Sequence, residues 1–146
     1  MESLLDHIDD YLALLGALVL ALPIGWNREK NARIMGIRTF PLVSVGACAY
    51  VLIAEQFIGP DAAPDAMARV LQGLMTGIGF VGGGAILKHD NYVSGTASAA
   101  SIWVVGAIGA AVGLGYWGHA IVLAIINLVV VVLFSRFKQR DDSNDT

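Results

Sequence analysis

From Asn91 to Ser135 the chain runs for 45 residues without an Asp, Glu, Lys or Arg. Soluble domains average roughly 25% charged residues, so a run of this length has no place on a solvated surface. A bilayer accommodates it, because each crossing helix needs about 20 consecutive apolar residues. Two crossings fit into the run, joined by a tight hairpin at Gly115, Tyr116 and Gly118. The rest of the chain has the same character, with 56% hydrophobic and only 14% charged residues. The reading is an all-α integral membrane protein: a bundle of five transmembrane helices with short loops.

The spans follow from the apolar runs. The first starts between Leu4 and Tyr11 and reaches Trp26, with Pro23 and Gly25 in its last turn, where they bend or end it. The second is Phe40 to Phe57, with Thr39 as a cap and Pro41 in the first turn, where proline is tolerated. An acidic turn with Gly59, Pro60, Asp61, Pro64 and Asp65 leads to the third, Met67 to Leu87. The fourth is Gly95 to Gly113 and the fifth Trp117 to Phe137. Residues 1–137 thus form one transmembrane domain, and the polar residues 138–146 are expected to be a disordered tail. The amino terminus carries Glu2, Asp6, Asp9 and Asp10 and lacks the basic start of a cleaved signal. The first helix is therefore expected to remain. The lone Cys48 reads as a packing residue.

Charge sets the orientation. Arg28, Lys30, Arg33 and Arg38, then Lys88, then Arg136, Lys138 and Arg140 all fall on one side of a five-span bundle, and of the nine basic residues only Arg69 does not. Basic loops stay cytoplasmic, so the carboxy terminus is expected inside and the amino terminus outside. The intervals Gly25–Gly36 and Gly84–Gly95 are equal, and Gly36-Ile-Arg-Thr39 overlies Gly95-Thr-Ala-Ser98. Two equally oriented hairpins of this kind suggest a parallel internal repeat.

Small residues dominate the third and fourth spans. Gly73 and Gly77, Gly79 and Gly83, and Gly109 and Gly113 stand four apart, the spacing that lets helix backbones touch. The stretch from Arg69 to Trp103 is accordingly expected to be the part around which the other helices pack. Gly77-Ile-Gly79-Phe-Val-Gly82 matches a dinucleotide fingerprint in letters only, since it lies within an uncharged run with no strand before it. Two readings stay open for it: close helix packing, or a helix broken at Gly82–Gly84 whose freed backbone lines a polar cavity.

The candidate polar sites are few. Arg28, Glu29 and Lys30 with Arg38 and Thr39 read either as a snorkelling topology anchor or as an ordered network, with Arg38 on helix-end carbonyls and Glu29 bridging cations. Arg69 is expected to pair with Glu55 across the second hairpin, because a lone charge at a membrane edge is costly. Gln72, Thr76, Thr96, Ser98, Ser101 and Asn127 are polar groups inside or beside spans, by default hydrogen-bonded between helices. No carboxylate lies near the middle of a span, and His7, His89 and His119 are scattered. A dry oxygen cage for Mg²⁺ is therefore not available, and no metal site, cofactor, nucleic-acid partner or enzymatic activity is expected.

Five ordered motifs carry a resemblance. They are Gly25-Trp-Asn-Arg28-Glu29-Lys30; Gly36-Ile-Arg38-Thr39-Phe-Pro-Leu-Val43; Arg69 with Gln72; Gly77-Ile-Gly79-Phe-Val-Gly82-Gly-Gly84; and Val93-Ser-Gly95-Thr-Ala-Ser-Ala-Ala-Ser-Ile-Trp103. Together they resemble the MgtC/SapB family from about Leu12 to Phe134. The resemblance implies a bacterial inner-membrane protein linked to growth in low magnesium and to stress, in a family to which magnesium transport has been ascribed. Thr96-Ala97-Ser98 replaces the family's usual Leu-Thr-Thr, and the membrane domain is expected without the carboxy-terminal cytoplasmic domain of some members. The expected function is a regulatory or adaptor membrane protein, with a small ion or solute transporter as the alternative and a purely structural role as a third. The expected partners are the lipid bilayer and either a second copy, as a dimer, or other membrane proteins.

Overall fold

The computed structural model describes residues 7–31, 35–58, 65–88, 90 and 92–141, with side chains described to Leu133. Among the described residues there are five helices: α1 (Ile8–Asn31), α2 (Thr39–Ile58), α3 (Asp65–Gly84), α4 (Thr96–Gly113) and α5 (Trp117–Asp141). Between α3 and α4 lies a minimal antiparallel ribbon, β1 (Leu87–Lys88) with β2 (Val93–Ser94), in the register Leu87–Ser94 and Lys88–Val93. Three helices, α1, α2 and α4, are long and apolar enough to cross a membrane, and Trp117–Leu133 of α5 is a shorter apolar stretch.

Helix α4 is the centre. It packs on α1, α2, α3 and α5, whereas α3 packs on α2 and α4 at the edge. The reason lies in side-chain size. Ser98, Ser101, Gly106, Gly109, Ala110 and Gly113 keep α4 thin, and they are buried together with Ile102, Val105, Ile108 and Val112. A Cβ on Gly109 would overlap the backbone of Ser44 on α2. One on Gly113 would stand 2.9 Å from the Cys48 carbonyl oxygen. Backbones in such contact gain dispersion and Cα–H···O contacts that a larger residue forbids. By contrast, a Cβ on Gly73, Gly77, Gly79 or Gly83 meets nothing within 4 Å. The expected centre at Arg69–Trp103 is thus corrected: the packing glycines of α4 are engaged, and those of α3 face outward within one chain.

Helix ends also differ from expectation. α1 does not stop near Trp26 but continues to Asn31 through Pro23, and so buries Ile24, Gly25 and Arg28. Proline inside a membrane helix is tolerated where neighbours satisfy the freed groups. Helix α3 is unbroken through Gly84, where turn bonds from Ala85 N–H to Gly82 and from Ile86 N–H to Gly83 close it. The broken-helix reading therefore falls. Thr39 is the first residue of α2 rather than its side-chain cap, and its N–H donates to the Gly36 carbonyl. Gly95 enters α4 at φ 85, a left-handed conformation that glycine adopts without strain. Helix α5 runs through Asp141, four residues into the expected tail. The acidic turn at 59–64, Arg33, His89 and residues 142–146 lie outside the described residues, as do the side chains of Arg136, Lys138 and Arg140.

Candidate functional site

The polar interior is made of separate small contacts. The clearest joins α4 to α5: the Ser101 hydroxyl donates to Asn127 Oδ1 at 2.7 Å, and Asn127 Nδ2 donates to the Ser101 carbonyl at 3.2 Å. Both residues are buried. The asparagine amide thus uses its donor and its acceptor on one residue of the neighbouring helix. Ser44 on α2 and Ser98 on α4 are also buried, and neither hydroxyl has a partner among the described residues.

A second contact holds α1 to α5. Arg28 is 7% exposed, and its guanidinium donates to the Val131 carbonyl at 3.4 Å, while Nε has no partner among the described residues. The neighbouring Asn27 Oδ1 is buried, and among those residues it has no partner either. Reaching a carbonyl is therefore the role of Arg28, whereas Arg38 is exposed and pairs with no described residue. Helix α1 runs one turn further than its apolar pattern suggests, and this turn carries Arg28 inward. Among the described residues Glu29 bridges no cations; its carboxylate accepts the Ile37 N–H at 3.1 Å, across the α1–α2 loop. A Cβ on Gly36 would collide with Glu29, so the glycine gives the carboxylate its seat. Lys30 lies over the Trp26 ring at 4.8 Å, a cation–π contact.

Arg69 is a further correction. It pairs with Asp65, one turn earlier on α3, through Nε at 3.2 Å and Nη2 at 2.9 Å. The expected Glu55–Arg69 pair is not formed, since a carboxylate at i−4 on the same helix needs no reach between helices. Both members are well exposed. Gln72 and Thr76 share a face of α3 as expected, and that face is also exposed; the Thr76 hydroxyl donates to the Gln72 carbonyl at 2.8 Å. Thr96 is exposed at the start of α4. Gln72, Thr76, Thr96, Ser98 and Asn127 therefore do not converge on one cavity.

What opens between α3 and α4 is an apolar groove of about 310 Å³, which sequence reasoning missed. Leu74, Met75, Ile78, Trp103 and Ala107 line it, and Tyr116 with His119, edge to face at 5.7 Å, closes one end. A shallower groove beside it carries Gln72 and Thr76 next to Trp103. No group of three or more His, Cys, Asp or Glu among the described residues is placed to hold a metal ion.

Thin central helix, pairwise polar contacts and a lateral apolar groove define a small multi-pass helical membrane protein. The sequence profile of the MgtC family matches residues 14–140, and the chain belongs to that family. It is 35% identical to Protein SrpB of Synechococcus elongatus, over 86% of this chain and 75% of that protein. It is 34% identical to Protein MgtC of Salmonella typhimurium, over 96% of this chain and 58% of the other. With Protein MgtC of Brucella abortus the identity is 37%, over 82% and 49%. The chain thus spans about half the length of the MgtC relatives. No solved structure matches it.

Proposed function

We propose that this chain is a regulatory or adaptor protein of the bacterial inner membrane that works by binding other membrane proteins, in adaptation to magnesium limitation or stress. The observation that supports the reading is the closed Ser101–Asn127 pair at the α4–α5 contact, set against an open groove that is apolar. A transported ion needs a line of groups able to replace its water. Here Ser101 and Asn127 are spent on each other, and the groove offers Leu74, Met75 and Trp103 to a partner's side chains. Flux measured in proteoliposomes, with and without a magnesium gradient, tests this. The expected result is no flux above empty vesicles; a flux that Asn127→Leu or Thr76→Val abolishes would overturn the reading.

The alternative, a small ion or solute transporter, is favoured by Gln72 and Thr76 beside the second groove. In either case the basic α1–α2 loop faces the cytoplasm. An impermeant thiol reagent applied to intact cells, in a Cys48→Ala background, should label Ala63→Cys and spare Asn31→Cys. The reverse pattern refutes the orientation.

A further inference from the structure

Helix α3 is 20 residues long, about 30 Å, and so has the length of a span. It is not among the helices apolar enough for one by composition. Its polar residues explain why, and they do not point into the bundle. Asp65, Arg69, Gln72, Thr76, Gly79 and Gly83 recur at intervals of four and three, and every one is exposed. The buried Ile78 and Gly82 lie on the other face. Alternation of three and four is the interval of a seam between two helices. Polar groups facing lipid are costly, and the Gln72 carboxamide makes no hydrogen bond among the described residues.

We infer that a second copy of this chain covers the stripe, α3 against α3 in the same direction, about a twofold axis along the membrane normal. In such a contact each residue lies level with its counterpart. The stripe suits its own image throughout. Asp65 and Arg69 stay paired within each chain, and each lies diagonally, one turn along, from the opposite charge of the partner. The Gln72 amide carries donors and acceptors at once, so it pairs with the partner's Gln72, which no acyl chain can do. Gly79 and Gly83 then let the two backbones close. Within one chain Asp65, Arg69 and Thr76 have partners, and the Gln72 side chain, which has none among the described residues, gains one from the other copy. The inference needs only membrane insertion and is independent of whether ions pass.

Single cysteines in the Cys48→Ala chain, oxidised in native membranes, test it. Thr76→Cys and Gly79→Cys should give disulfide-linked dimers. Leu74→Cys, on the inward side of α3, and Ile125→Cys, on the exposed face of α5, should stay monomeric. Cross-linking that ignores this periodicity, or that is equally strong at Ile125→Cys, would overturn the proposal. So would its absence from the stripe. As a second measurement, sedimentation of detergent-solubilised Gly79→Ile should show a shift from dimer to monomer at unchanged helical content. A wild-type chain that sediments as a monomer, or a Gly79→Ile chain that stays dimeric, contradicts the inference.

Discussion

Helices α3 and α4 are both rich in glycine at four-residue spacing, yet they do opposite things. On α4 the glycines are filled by neighbouring backbone, with Ser44 at Gly109 and Cys48 at Gly113. On α3 the four glycines of the two pairs meet nothing within 4 Å. The spacing therefore marks a face that can be approached closely, without saying what approaches it. What separates the two helices is their other residues. Helix α4 carries Ile102, Val105 and Ile108 among its small residues, apolar and buried. Helix α3 carries Asp65, Arg69, Gln72 and Thr76 on its outer face, which a bundle core does not accept.

The sharpest way to break this contrast is a matched pair of substitutions. Gly109→Leu should destabilise the protein by about 3 kcal/mol, near the upper end for overpacking, and should be seen as a lost or strongly lowered thermal transition in detergent. Gly77→Leu should change stability by no more than about 0.5 kcal/mol, the range of substitutions that touch nothing. Equal effects would mean that the two glycine faces are used alike within one chain. A smaller effect is expected at the α4–α5 contact. Asn127→Ala removes both bonds to Ser101 and should cost about 1 kcal/mol, since hydrogen bonds between membrane helices are modest. Ser101→Ala removes one of the two and should cost less in the same melting experiment. The smallest effect belongs to the rim of α3. A double-mutant cycle on Asp65 and Arg69 should show a coupling of about 0.3–0.5 kcal/mol, as for exposed pairs one turn apart. The same cycle on Glu55 and Arg69 should be additive. Coupling in the second cycle and none in the first would reverse the assignment of that charge pair.

Much of the fold was legible because membrane spans are announced by their length. The run without charge from Asn91 to Ser135 contains α4 and the apolar part of α5, and the hairpin between them falls where Gly115, at φ 75, allows it. Helix boundaries were less legible. Pro23 reads as an end of α1, but the backbone continues because Gly25 can lie against Gly36 and Ile37. That contact joins α1 to the loop before α2 and leaves no periodic trace. For the same reason Arg28 and Arg38 look alike in sequence, although only the extra turn of α1 carries Arg28 to Val131. Hydroxyl residues on α4 were recognisable as polar positions, whereas Ser44 gave no signal, since its carbonyl rather than its side chain touches Gly109.

Two of the polar contacts that tie α5 into the bundle differ greatly in the length of chain they enclose. Ser101 and Asn127 are 26 residues apart, whereas Arg28 and Val131 are 103 apart. Contacts that close short loops form early, and those that close long loops wait. During synthesis the α4–α5 hairpin can therefore pair as soon as both arms have left the ribosome. The grip of Arg28 on α5 must come later, because its acceptor, Val131, is made after Asn127. Until then Arg28 lacks the acceptor it has in the finished bundle, and arrival of the fifth helix shelters that charge.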